Sequence, residues 1–263
     1  MPNLNTGILG EIPISLPSLP TQRRIASILT ALDDKIELNR RMNETLEGIA
    51  QAVWGEWFGK YSSGEEELPD GWRWGVLDDV LIAKGGTTPS TREPEFWDGD
   101  VAWTSPKDLS SIRFPVLFDT EKKITEKGLK QISSGLLPKG TLLLSSRAPI
   151  GYLAITQIPI AINQGYITIN GINGFSNLFL LFWLKANMWK VVERANGSTF
   201  LEISKSNFRE VEILLPTHNV HDQFLSAVTP IFQQIIENET QSRTLTSLRD
   251  TLLPRLMRGE ALS

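Results

Sequence analysis

The sequence predicts an α+β protein in which one mixed α/β domain is joined to two long helices forming an antiparallel coiled coil. Three observations carry that prediction. First, one stretch occurs twice: residues 11–57 align with 210–256 without a gap, at a constant offset of 199 residues. Glu11, Ile14, Leu16, Pro17, Ser27, Ile36, Asn39, Thr45 and Leu46 meet Glu210, Ile213, Leu215, Pro216, Ser226, Ile235, Asn238, Thr244 and Leu245. Second, both copies carry a heptad seam, with apolar steps alternating four and three. Third, the stretch between them breaks into short apolar runs separated by turn residues, the pattern of strands.

Residues 1–20 read as an extended segment. Ile12, Ile14 and Leu16 alternate with Pro13, Ser15 and Pro17, which suits a short edge strand. Thr21 is the expected N-cap of the first helix, over residues 21–58. Its seam runs Ile25, Leu29, Leu32, Ile36, Asn39, Asn43, Leu46, Ala50, Val53 and Trp57. At 1.5 Å per residue this helix is a rod of roughly 55 Å. Asp33, Asp34, Lys35, Glu37, Arg40, Arg41, Glu44 and Glu47 lie off the seam, the expected solvated face.

Residues 59–71 are a polar linker. The mixed domain spans 72–216, with strands such as Gly140–Ser145 and Gly165–Ile169, and one helix from Asn177 to Arg194 that is apolar nearly all round and so must be buried. The second long helix occupies 217–263 and ends near Gly259. Its seam is Phe224, Val228, Ile231, Ile235, Asn238, Ser242, Leu245, Arg249, Leu252 and Leu256. Matching seams at the two ends of one domain should pair antiparallel, and the polar seam residues near mid-rod should fix the register.

Composition sets limits. The 263 residues hold 26 Lys and Arg against 30 Asp and Glu, a net charge of −4, so no bulk basicity advertises nucleic acid. No apolar run is long enough to cross a membrane, and no basic stretch precedes an apolar one at the N-terminus. With no cysteine and no secretory pattern, the expectation is a cytoplasmic protein without disulfides. The two histidines, His218 and His221, have no neighbouring ligand cluster, so capping or solvent exposure is expected of them and no metal. Gly85-Gly86-Thr87-Thr88-Pro89 lacks the lysine of a phosphate loop, and no methyltransferase motif occurs. Pro69-Asp70 and Glu121-Lys122-Lys123 imitate a nuclease motif at too long a separation; surface charge is the better reading. The chain is therefore expected to be no enzyme.

Side chains able to bond phosphates and base edges gather in loops. They are Lys84, Thr87, Thr88 and Arg92; Ser105 and Lys107; Ser146 and Arg147; Asn163, Gln164 and Tyr166; and Ser198 and Thr199. Each loop alone is weak. Ser145-Ser146-Arg147 reads equally well as a structural turn whose arginine pairs with a carboxylate. Trp72, Trp74, Phe96, Trp97 and Trp103 are read as core, not as stacking surface.

Longer motifs carry a resemblance. Ile14-Ser15-Leu16-Pro17-Ser18-Leu19-Pro20-Thr21-Gln22-Arg23-Arg24-Ile25, continuing to Trp57-Phe58, resembles the central conserved region of type I restriction-modification specificity subunits. Leu248-Arg249-Asp250-Thr251-Leu252-Leu253-Pro254-Arg255-Leu256 resembles their distal region. Trp97-Asp98-Gly99-Asp100-Val101-Ala102-Trp103, Ser145-Ser146-Arg147-Ala148-Pro149-Ile150-Gly151 and Asn163-Gln164-Gly165 are similar to their target recognition domain.

The resemblance implies a non-catalytic subunit that reads one half of a bipartite DNA target. It implies methyltransferase (modification) subunits as partners, holding S-adenosylmethionine, and a restriction subunit joined through the assembled complex. A full subunit of that family has two recognition domains in tandem. This chain has one, and its residues 4–16 match the exit strand 203–215. It therefore resembles a C-terminal half, or a natural half-subunit. Residues 1–16 are expected to be loosely held or to contact a second copy in a homodimer. The alternative is a non-enzymatic coiled-coil interaction or dimerisation module.

Overall fold

Two 40-residue helices frame the chain: α1 (Leu19–Phe58) and α6 (His218–Met257). The computed structural model describes Gly10 and residues 17–62, 64–147, 149–197 and 201–258. Of the extended segment expected over 1–20, residues 1–16 lie outside these residues apart from Gly10, as do Ser198 and Thr199, while Leu19 and Pro20 are helical and not extended. The chain divides into two compact units, Met1–Glu44 with Glu237–Ser263, and Thr45–Ile236.

The first unit is a helix pair. α1 begins at Leu19, two residues before the expected start, and Ser18 holds the cap position instead of Thr21. The Ser18 hydroxyl lies 3.0 Å from that of Thr21 and accepts from the Thr21 N–H at 3.5 Å. Gln22 Nε2 reaches back to the Pro17 carbonyl at 2.8 Å. Pro20 falls in the first turn, where its missing N–H costs nothing.

Cross-helix contacts set the direction. Asp33 pairs with Arg249 at 2.8 Å, Asn39 meets Gln241 and Ser242, and Asn43 meets Asn238 and Glu239. Partner numbers fall as α1 numbers rise, so the helices run antiparallel, as the matching seams predict. The same register puts Ile36 level with Leu245 and Ile25 level with Leu256. Ile25 and Leu256 are buried, and the other seam positions of this unit are buried or half-buried.

The off-seam charges are less uniformly solvated than expected. Arg40 bridges Glu37 and Glu44 along α1, and in the second unit Glu47 is half-buried against Lys185. Desolvation there pushes the Lys185 ammonium down to about 8.

The second unit contains three sheets. β1 (Arg73–Val76) pairs antiparallel with β10 (Glu212–Leu215). A five-stranded sheet has the order β2 (Leu81–Lys84), β9 (Tyr166–Gly171), β6 (Leu142–Ser145), β7 (Leu153–Thr156), β4 (Val116–Leu117), with only the β4–β7 pair parallel. A three-stranded sheet has the order β5 (Lys122–Ile124), β3 (Trp97–Thr104), β8 (Ala161–Ile162), with β8 parallel to β3. Short helices α2 (Pro106–Ser110), α3 (Glu126–Leu129) and α5 (Lys205–Arg209) punctuate the strands. α4 (Asn177–Glu193) buries Phe179 through Leu184, which explains why its sequence shows no polar face.

The ends of the long helices join this core, and here the seam departs from the sequence reading. Trp54 and Phe58 are 5% and 4% exposed, whereas the expected Val53 and Trp57 are only half-buried. A straight helix drifts away from a strict seven-residue repeat, so beyond the expected Ala50 the buried stripe slides from Val53 and Trp57 onto Trp54 and Phe58. Their rings interlock: Trp54–Phe58 centroids lie 4.5 Å apart, Phe58–Phe224 5.3 Å and Trp54–Phe179 5.2 Å. Phe232 joins Val228 and Ile235 in the core from α6.

Three other expectations need correction or refinement. Trp74 is not core: it is 37% exposed, with the Lys190 ammonium 5.1 Å from its ring. Trp103 is buried, while Trp72, Phe96 and Trp97 are half-buried. His221 is neither exposed nor a cap of its own helix. Its Nε2 accepts the Ser176 N–H at 3.2 Å, its Nδ1 faces Asp222 at 3.0 Å, and Phe175 and Phe179 pack on the ring. This is a buried core histidine that tethers the start of α4. His218 is exposed as expected.

Candidate nucleic-acid interface

Four of the loops singled out from sequence, those around Thr87-Thr88, Ser105, Ser146 and Asn163-Gln164, are joined by hydrogen bonds. Lys84 ends β2, opposite Thr168 of β9. The chain then passes β8 so closely that a Cβ on Gly86 would lie 1.9 Å from the Ile162 carbonyl oxygen. Only glycine fits there. Thr87 follows, its hydroxyl donating to the Gln131 carbonyl at 2.7 Å and accepting from the Ser133 N–H at 3.1 Å. The Trp103 indole N–H donates to the Thr87 carbonyl at 3.4 Å. Thr88 donates its hydroxyl proton to Gln164 Oε1 at 2.6 Å.

Gln164 sits on a turn held from both sides. Asn163 Oδ1 accepts the Gly165 N–H at 2.8 Å, and the Asn163 N–H donates to the Thr104 carbonyl at 3.0 Å. Ser105 starts α2 in a reciprocal cap with Asp108, its N–H donating to Asp108 Oδ2 at 2.9 Å. The Gly165 carbonyl takes the Ser146 N–H, and the Ser146 carbonyl takes the Ile203 N–H. Arg147 and Asn196 each bridge to Glu202. Lys205, at the start of α5, lies beside Gly85.

The structure thus brings the loops around Lys84–Arg92, Ser105–Lys107, Ser146–Arg147 and Asn163–Gln164 together. Two candidates leave the set of surface contacts. Tyr166 is 1% exposed, its hydroxyl donating to the Ser105 carbonyl at 2.7 Å, and burial pushes its pKa up. Ser146 is 2% exposed. Both are framework: β6 and the start of β9 are buried on both faces, and the loops leave the sheet from inside that packing. Thr87 keeps its place, but its hydroxyl is occupied by backbone.

The cations at these loops differ in state. Lys107 pairs with Glu121 at 2.7 Å, which raises the lysine pKa and lowers that of the carboxyl. Arg147 stands 3.9 Å from Glu202, so the turn-plus-carboxylate reading of Ser145-Ser146-Arg147 describes its geometry. Lys84, Arg92 and Lys205 are exposed with no carboxylate partner among the described residues.

Sequence reasoning missed Gln131, Ser133 and Lys205. Gln131 and Ser133 reach the site only through contacts 44 and 46 residues away along the chain, and nothing local marks them. The polar run Ser204-Lys205-Ser206 could have flagged Lys205. Among the described residues no group of three or more His, Cys, Asp or Glu could hold a metal ion, and no helix is long and apolar enough to cross a membrane.

Polar loops carried on a mixed sheet and joined to two long helices make this an α+β domain of the kind found on coiled-coil spacers. The family model for the type I restriction modification DNA specificity domain matches residues 1–48 and 69–245, and the chain belongs to that family. It is 37% identical over 181 residues to the type I restriction enzyme MjaIX specificity subunit of Methanocaldococcus jannaschii, covering 68% of this chain and 42% of that protein. It is 26% identical to the HindI specificity subunit of Haemophilus influenzae, covering 98% of this chain and 71% of that one. The fold is shared with the HsdS subunit from Thermoanaerobacter tengcongensis, at a TM-score of 0.53 and 21% identity over 99% of this chain and 64% of that one. The type I S subunit from M. genitalium gives a TM-score of 0.64 at 18% identity, over 91% and 61%. The chain therefore spans less than half the length of the first relative and under two thirds of both solved chains.

Proposed function

We propose that this chain reads one half of a bipartite DNA target, as the specificity subunit of a type I restriction-modification complex or as half of one. The observation that carries the proposal is the set of hydrogen bonds that ties the Thr87-Thr88, Ser105, Ser146 and Asn163-Gln164 loops to one another and to Ile203. It presents Thr88, Lys107, Arg147 and Gln164 from loops whose backbones are already fixed. Preorganised donors of this kind serve both halves of recognition: cations hold phosphates and set the register, while amide and hydroxyl groups reach base edges.

In this reading the chain performs no chemistry. Methyltransferase subunits dock on it and bring S-adenosylmethionine, a restriction subunit joins through them, and the complex works in the cytoplasm. The second reading, a coiled-coil interaction module, is supported by the helix pair but leaves the loop assembly without a task.

Salt separates the two. Binding of the purified chain to duplexes from a randomised pool should fall steeply with added salt and enrich one short sequence, because neutralising each phosphate releases a counterion. Indifference to DNA at low salt would favour the interaction module.

A further inference from the structure

The cations of the candidate interface fall into two sets that differ by a carboxylate. Lys107, at the start of α2, and Arg147, just after β6, flank the Asn163–Gly165 turn. A Cβ on Gly165 would lie 2.9 Å from Pro106 Cγ, and the Gly165 carbonyl accepts the Ser146 N–H at 2.8 Å. Each of these two cations carries a glutamate: Lys107 Nζ is 2.7 Å from Glu121, and Arg147 Nη1 is 3.9 Å from Glu202. Lys84, Arg92 and Lys205 have no carboxylate partner among the described residues. The fold does not need either glutamate side chain. The Glu121 N–H is held by Asp108 Oδ1 at 2.9 Å, and Glu202 exchanges both main-chain bonds with Asn196 at 2.9 Å. Their side chains are 58% and 53% exposed, and an ion pair that open contributes little to stability. Each carboxylate is thus set, on a fixed backbone, against a cation of the interface. Hydrogen bonding to Lys107 also holds the Glu121 carboxyl below its usual range and the ammonium above its own, so both stay charged at neutral pH.

We propose that Glu121 and Glu202 are specificity-determining residues: each takes the place of a phosphate on its cation and must be displaced before Lys107 or Arg147 engages DNA. This rests on the DNA-recognition reading and adds to it the means by which wrong sequences are refused. A free cation gains by releasing a counterion from any phosphate it meets, whatever the sequence. A cation already neutralised by its own carboxylate gains little from that exchange, and the displaced carboxylate is left facing a row of phosphates. Only a duplex that also offers base-edge acceptors, such as O6 and N7 of guanine, offsets the displacement. Lys84, Arg92 and Lys205 carry no mask and supply the sequence-independent hold. Free cations therefore grip any duplex, and masked ones close on the right one. A repulsive element of this kind raises specificity without adding affinity.

Selection from a randomised pool with the full chain identifies the preferred duplex, and fluorescence anisotropy then compares it with a scrambled one. Glu121→Gln and Glu202→Gln should each tighten binding of the scrambled duplex about five- to tenfold at about 0.1 M salt and steepen its salt slope by about one. Affinity for the preferred duplex should change less, and melting should not change, because both side chains are exposed. The gain from Glu121→Gln should vanish when Lys107→Ala is added, since no ammonium is left to free. Glu37→Gln removes the same charge from Arg40 and Arg41 on α1 and should leave the ratio of the two affinities as it was. Scrambled-duplex binding that does not tighten, a gain that persists with Lys107→Ala, or an equal gain from Glu37→Gln would overturn the proposal, while a selective wild type would leave the recognition reading standing. A wild type with no preferred duplex would overturn both.

Discussion

Asn238 donates its side-chain amide to Asn43 Oδ1 at 2.8 Å across the helix pair, and both residues are buried within the seam. Asn43 in turn donates to Glu239 at 2.9 Å. Asn39 completes the layer, donating toward Gln241, Ser242 and the Asn238 carbonyl, while its own Oδ1 has no partner. Such a layer costs stability relative to leucines and gains register, because any slip of the helices leaves buried amides unpaired.

Replacing one member should therefore be worse than replacing both. Asn238→Leu alone strands the Asn43 carbonyl and should cost about 1–3 kcal/mol. Adding Asn43→Leu should recover most of that loss while broadening the helix register. A double-mutant cycle by chemical denaturation measures the coupling; additive losses would show that the two amides act independently.

Glu239 makes the same layer pH-dependent. Burial raises its pKa, against the lowering effects of the Asn43 hydrogen bond and of Arg243. A carboxyl whose folded pKa lies above its unfolded value contributes stability at low pH and loses that contribution as pH rises through the folded value. Glu239→Gln should accordingly raise the melting temperature at neutral pH and flatten the profile above the normal carboxylate range. An unchanged profile would mean that the side chain is fully solvated.

The cores should respond differently along the helices. Ile235 is 2% exposed in the sheet unit, and Ile235→Asp should cost about 3 kcal/mol or more by burying an unpaired charge. Leu32 is half-buried beside the exposed end of the pair, so Leu32→Asp should cost visibly less. Thermal melts of the two variants compare them directly.

The helices were legible because repetition and period are local signals: Asn39 and Asn238 announce one another at matched seam positions. The slide from Trp57 to Trp54 and Phe58 was not, since it depends on Phe179 and Phe224 arriving from distant parts of the chain. At the candidate interface, turn residues marked Thr88 and Gln164, but nothing local said that they touch across 76 residues. Tyr166 and Ser146 misled because a polar residue beside a turn looks the same whether distant segments pack over it or leave it to solvent, and here both faces of β6 and of the start of β9 are covered.

Gly86 tests whether the loop assembly is a single unit. Gly86→Ala forces a methyl group onto the Ile162 carbonyl and should displace Thr87 and Thr88 together. Sequence-specific DNA binding should fall at least tenfold with little change in the melting of the helices. Retained affinity would place the reading surface elsewhere.

Lys107→Ala and Arg147→Ala should separate positioning from reading. A phosphate contact weakens all duplexes alike and reduces the salt slope by about one, whereas a base contact weakens only the selected sequence. Fluorescence anisotropy at several salt concentrations distinguishes the two, and unchanged affinity in both variants would remove these loops from the interface.

The most direct measurement is the adenine methylome of a host that carries the modification subunit, sequenced with and without this gene. Recognition by this chain predicts methylation at one split target sequence that disappears when the gene is deleted and returns when it is restored. Identical methylomes in the two strains would contradict that account.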